Sequence, residues 1–143
     1  MAKAIIEPYL FFGGRTEEAI EFYKQALGAE VEMLMLFSES PEPLPQGVLQ
    51  PGFENKVMHA SIRVAGNRIM LSDGVNDDSG FKGFSLSIAL PTTSEVEKVF
   101  NALAKNGSVQ MELGKTFWSP LYGMLTDRFG VSWMVSVEDE NFK

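Results

Sequence analysis

Apolar residues recur along this chain with two periods, and the periods take turns. Val31, Met33, Met35 and Phe37 alternate with Glu32, Leu34 and Leu36, and Phe84, Leu86, Ile88 and Leu90 alternate with Ser85, Ser87 and Ala89. This two-residue period belongs to strands with at least one buried face. Ile20, Tyr23 and Leu27, and later Val96, Val99, Phe100 and Leu103, follow the wider spacing of amphipathic helices. The first helix is expected to begin at an N-cap Thr16, to place Glu17 and Glu18 at the positive end of its dipole and to stop at Gly28. For the second, Ser94 with Glu97 reads as a capping box and Asn106-Gly107 as the stop.

The remaining runs complete a repeating order. Ala4 to Phe12 reads as a buried strand ending at a Gly13-Gly14 turn. Lys56 to Asp73 reads as a hairpin turning at Gly66-Asn67. That turn sets Val64 opposite Ile69 and Ile62 opposite Leu71 on an apolar face, with His59, Ser61, Arg63, Met70 and Ser72 on the other. Val109 to Leu113 and Val131 to Val137 are further strands. Strand, helix and strands thus occur twice, which predicts an α+β chain of two βαβββ modules forming a curved mixed sheet. The modules run from about 1–74 and about 83–138 in a single domain, 1–143, each burying one sheet face under its helix and leaving the other for a shared cavity.

Two loops interrupt this order. Ser38 to Asn55 carries Pro41, Pro43, Pro45 and Pro51 with Gly47 and Gly52, too broken for regular structure, and reads either as a flap over a binding site or as a mobile insertion, with Phe53 dipping into a cavity. Gly74 to Gly83 holds Asp77 and Asp78 without the ligand spacing of an EF-hand and reads as a solvated loop.

Composition removes many chemistries. Hydrophobic content of 45% with 22% charged residues is that of a globular protein with a real core, and no apolar run is long enough to span a bilayer. The N-terminal run is broken by Glu7 and Pro8 and lacks the form of a secretory signal, so the cytoplasm is the expected location. A net charge of −7 with scattered Lys and Arg argues against nucleic acid. The absence of Cys excludes disulfides and thiolate sites, and the single His59 excludes His-pair zinc motifs.

The segment FWSPLYGMLTDRFGVSW, from Phe117 to Trp133, concentrates the chain's large aromatics. Trp133 alternates with Val131, Val135 and Val137 and belongs under the helix, which turns Met134 and Ser136 to the opposite face. Phe117, Trp118 and Tyr122 read either as pocket walls or as ordinary core, and Asp127 as the cap of a turn. His59 reads as a hydrogen-bonded wall residue, or as a general base or ligand contact. Arg63 reads as an anion contact or as the partner of a surface carboxylate.

AIEFYKQALGAE, HASIRVAGNRIMLSDG and FWSPLYGMLTDRFGVSW together resemble the PhnB-like branch of the glyoxalase/bleomycin resistance/dioxygenase superfamily, the vicinal oxygen chelate proteins. Metal-bearing members hold a divalent ion with His and Glu side chains on the first, fourth, fifth and eighth strands. Here the first of these places falls near Pro8, with Glu7 beside it, the fifth-strand place near Ser85 and the eighth-strand place at Met134, whose thioether suits a hard ion poorly. His59 matches a His of the branch on the third strand. The resemblance therefore implies a small-molecule-binding protein without a metal or other cofactor, its ligand held by His59, Arg63, Phe117, Trp118, Tyr122 and Met134. The alternative is a metal-dependent lyase, isomerase or dioxygenase with a divalent ion displaced to His59 with Glu7 or Asp73. Some relatives bear a demethylubiquinone methyltransferase label, but no glycine-rich strand-to-helix turn for a nucleotide-like cofactor is present. The resemblance also implies a homodimer.

Overall fold

The computed structural model describes residues 3–42 and 44–138. The chain divides into two compact units, Met1–Gly80 and Phe81–Lys143. The first contains β1 (Tyr9–Phe11), α1 (Thr16–Leu27), β2 (Glu30–Leu36), a 3-10 turn (Phe37–Glu39), β3 (Val57–Val64) and β4 (Asn67–Ser72). The second contains β5 (Leu86–Leu90), α2 (Thr93–Ala104), β6 (Ser108–Gly114), β7 (Tyr122–Thr126) and β8 (Ser132–Val137). The sheets have the orders β1-β4-β3-β2 and β5-β8-β7-β6, so the expected repeat is present strand for strand. In each, the outer strand before the helix runs parallel to the last strand of its unit and the other pairs are antiparallel.

One face of each sheet is closed by its helix. Ala19, Ile20 and Tyr23 of α1 are buried over a sheet face built from Ala60, Ile62 and Leu71. Val96, Phe100 and Leu103 of α2 are buried with Leu125, Trp133 and Val135. The fit over the second sheet is tight: a Cβ on Gly123 would lie 2.7 Å from Phe100 and 2.9 Å from Leu113. Trp133 takes the core position that its alternation predicts, and its indole N–H donates to Asp127 at 2.9 Å.

Several local expectations are corrected. β1 covers only Tyr9–Phe11 because Pro8 has no N–H to pair, although its carbonyl accepts from Met70 at 3.0 Å; Ile5 and Ile6 before it are exposed. The hairpin turns at Ala65-Gly66, both with positive φ, so Ile62 faces Ile69 and Ala60 faces Leu71. The slip is two residues, and both faces keep the membership expected of them. In β2 a bulge between Val31 and Met33 breaks the alternation, leaving Val31, Met33 and Leu34 exposed on an edge strand. The N-cap of α2 is Thr92, two residues before the expected Ser94: its Oγ1 accepts the Glu95 N–H at 3.1 Å and donates to the Glu95 carboxylate at 3.0 Å.

Thr16 is the first helical residue of α1 and not its cap. Asp73, far along the chain and 1% exposed, does the capping. One carboxylate oxygen accepts the N–H groups of Gly14 and Thr16, each at 2.8 Å, and the other accepts the N–H of Val57 at 2.8 Å. It fastens the end of β4 to the entry of α1 and the start of β3. Replacing Asp73 by Ala would leave three donors without that partner, and the expected loss in urea denaturation is about 3–5 kcal/mol. Asp73→Asn, which keeps an acceptor oxygen, is expected to lose less.

Candidate functional site

The open face of the first sheet carries His59, Ser61 and Arg63 of β3 beside Arg68, Met70 and Ser72 of β4, with Met33 and Met35 across from β3. Tyr9 and Phe11 extend this face from β1, their rings 5.1 Å apart, while Leu10 and Phe12 turn into the core. The Tyr9 hydroxyl lies 2.9 Å from His59 Nδ1, and the two rings are 5.5 Å apart. Burial pushes the Tyr9 phenol up from its ordinary value, with the Ser72 hydroxyl pulling the other way. Tyr9 was not singled out from the sequence. The alternation within Pro8 to Phe12 would have turned it away from Leu10, but its meeting with His59 depends on the parallel β1–β4 register, which no local pattern reports.

Arg63 has the second of its two expected roles. Its Nε donates to Glu32 at 2.7 Å, and one of its terminal nitrogens donates to the Gly66 carbonyl at 3.1 Å. Arg68 shares the same carboxylate at 3.0 Å and reaches Glu7 at 3.6 Å. Hydrogen bonds from Arg63 and Arg68 hold the Glu32 carboxyl below its ordinary value, and Glu32 in turn raises Arg68.

These contacts decide how the proposed metal donors fit. Glu7 is engaged by Arg68, His59 by Tyr9, and Asp73 spends its carboxylate on three backbone donors. Ser85 bonds Ser132 at 2.7 Å, and Met134 stands opposite Met124. Among the described residues, no three His, Cys, Asp or Glu side chains are grouped to hold an ion. The donor set does not fit the divalent site of metal-bearing relatives.

The open face of the second sheet gathers other expected residues. Tyr122 pairs with Ser136, and Met124 with Met134, placing these four on the side away from α2, beside Ser87 of β5. Tyr122 meets Trp118 edge to face at 5.2 Å, and Trp118 meets Phe117 at 4.7 Å. Trp118 is 45% and Phe117 87% exposed, so these rings stand in solvent. They are carried by a loop tied to itself. Buried Ser119 donates to the carbonyls of Leu121 at 2.9 Å and Val137 at 3.2 Å, and its N–H bonds Thr116 Oγ1 at 3.0 Å. Asp127 caps the β7–β8 turn as expected, accepting from Phe129 and Val131.

The Pro-rich loop of the first unit lines a solvent-open cavity of its own. A space of about 260 Å³ is lined by residues between Phe37 and Met58, among them Leu44, Leu49, Glu42 and Glu54. Phe53, expected in a cavity, is buried against Gly14 instead.

Glu32 supplies a pH test. A depressed carboxyl stabilises the fold above the ordinary value of 4.5, and that contribution is lost as pH falls through the depressed folded value. Glu32→Gln is expected to flatten this acid-side step in the urea midpoint measured across about pH 3–6, and about 1 M salt to shrink the step in the parent.

Comparisons with known proteins agree with this geometry. The profile of the Glyoxalase/Bleomycin resistance protein/Dioxygenase superfamily matches residues 5–135. Protein YjdN of Escherichia coli (strain K12) is 36% identical over 140 residues, 92% of this chain and 94% of that protein. The crystal structure of protein PA1353 from Pseudomonas aeruginosa is 43% identical and superposes with a TM-score of 0.82, covering 95% of this chain and 98% of that one. The structure of the Bacillus cereus PhnB protein, described as a putative 3-demethylubiquinone-9 3-methyltransferase, is 28% identical with a TM-score of 0.77 and covers 94% and 100%. With both sheets in the expected order and a match over nearly its full length, the chain belongs to the glyoxalase/bleomycin resistance protein/dioxygenase superfamily, and its resemblance to PhnB-like proteins holds in structure as well as sequence.

Proposed function

We propose that the protein binds a small organic molecule through aromatic and thioether contacts, without a metal ion in the site. One observation carries this reading. Phe117, Trp118 and Tyr122 form a chain of edge-to-face rings, two of them exposed, joined to an open sheet face bearing Met124 and Met134. Exposed rings have apolar area to bury and a polar handle on Trp and Tyr, and thioethers adapt to the shape of what they touch. The hydrogen-bonded Ser119 loop supports the rings before a ligand arrives, which lowers the ordering cost of binding. In the first unit, His59 stands on the open face of its own sheet, hydrogen-bonded to Tyr9.

The metal-dependent reading lacks a group of three His, Cys, Asp or Glu donors among the described residues, and the methyltransferase description of the Bacillus cereus protein requires a cofactor cradle that is not legible in this sequence. We also propose that two copies pair: the edge strands β2 and β6 expose Val31, Met33 and Leu34, and Val109 and Met111, respectively.

The test uses anilinonaphthalene sulfonate as an aromatic probe, read by its fluorescence. Trp118→Ala is expected to weaken its binding about tenfold and Tyr122→Ala by a smaller factor, with the fold intact by circular dichroism. Equal affinity in parent and variants would sink the aromatic platform. Stoichiometric metal in protein purified without chelator, lost in His59→Ala, would sink the metal-free reading. Light scattering is expected to give the mass of two chains, about twice the 15.8 kDa of one.

A further inference from the structure

The cavity under the Pro-rich loop is lined by residues of the first unit alone, and that lining has a chemistry of its own. Phe37, Leu44, Leu49 and Met58 supply apolar walls, and Glu42 and Glu54 are the charged residues among those that line it. No ion pair involves either carboxylate among the described residues. Lys56, two positions from Glu54, is committed elsewhere, its ammonium donating to the Gly14 carbonyl at 3.0 Å. Glu39, the third acid nearby, accepts the Leu36 N–H at 2.8 Å and caps the 3-10 turn. The lining therefore keeps two negative charges uncompensated beside an apolar space.

The ends of the loop are fastened by bonds that do not involve those two carboxylates. Its stem closes through Phe37 N–H to the Lys56 carbonyl at 3.0 Å and Ser38 N–H to the Glu54 carbonyl at 2.8 Å. Gln50 bonds the neighbouring loop twice, its N–H to the Val75 carbonyl at 2.7 Å and its side-chain oxygen from the Asp77 N–H at 3.0 Å. Phe53, 5% exposed, anchors the segment in the core. The span that reads from sequence as a flap is thus fastened at its stem and along its returning end, from Gln50 to Lys56.

We propose that this cavity is a binding site for a small organic cation, an ammonium or amidinium group on an apolar body of about ten heavy atoms, the size that about 260 Å³ admits. The apolar body fills the space between Phe37, Leu49 and Met58, and the cation is held by Glu42 and Glu54. The site stands independently of the aromatic platform and of any metal.

Benzylammonium, benzyl alcohol and benzoate, equal in shape and different in charge, test it by chemical-shift perturbation on the full chain at low salt. The expected order is benzylammonium tightest, benzyl alcohol about fivefold weaker and benzoate without measurable binding, with shifts centred on the residues between Phe37 and Met58. Glu42→Gln with Glu54→Gln, both exposed side chains whose loss spares the fold, is expected to bring benzylammonium down to the level of benzyl alcohol. Leu49→Ala weakens both. Benzoate binding as well as benzylammonium, shifts that centre elsewhere, or a double variant that binds like the parent would each overturn the proposal. Trp118→Ala leaves this binding unchanged, so failure here and failure of the aromatic platform are read separately.

Discussion

The frame of the first unit depends on one buried carboxylate. Asp73 leaves β4 and receives N–H groups from three places: the glycine turn after β1, the first residue of α1 and the first residue of β3. A helix N-terminus presents donors that its own turns cannot satisfy, and a charged acceptor serves them better than a hydroxyl. With both oxygens engaged and the side chain 1% exposed, Asp73 is turned into the frame and away from any ligand in solvent. The acid nearest the family hairpin is thereby a structural member, and what remains for chemistry on that sheet is the Tyr9–His59 pair and the arginine ladder around Glu32.

Much of this architecture is legible in the sequence because burial imposes periodicity. Both helix stripes, the duplicated order of elements and the core position of Trp133 follow from spacing alone, and the resemblance carried by three motifs gave the family. What escaped were features set by distant partners. Thr16 looks like a cap because caps are judged by the nearest hydroxyl, and the true acceptor, Asp73, lies just past the end of β4. The hairpin turn is one residue earlier than its Gly-Asn dipeptide implies because Ala65 takes a left-handed conformation, φ 51°, that sequence rules reserve for Gly and Asn.

The site was legible in part. Met134 and Ser136 occupy the face expected of them, because a strand with an unbroken period can be read once one member is fixed in the core. Trp118 and Phe117 sit on a loop, where alternation gives no guidance, and the structure puts their rings in solvent. Arg63 offered two roles, and only the neighbouring bulge in β2, which turns Glu32 toward both arginines, decides between them.

The separation of the chain into two four-stranded sheets bears on synthesis. Among the described residues every strand pairing lies within one contiguous unit, and the last strand of the first sheet ends at Ser72. A nascent chain thus holds all partners of that sheet well before the second helix has been translated. The parallel β1–β4 pair, which joins the first strand of the unit to its last, is the longest loop to close and sets the earliest moment at which that sheet is complete.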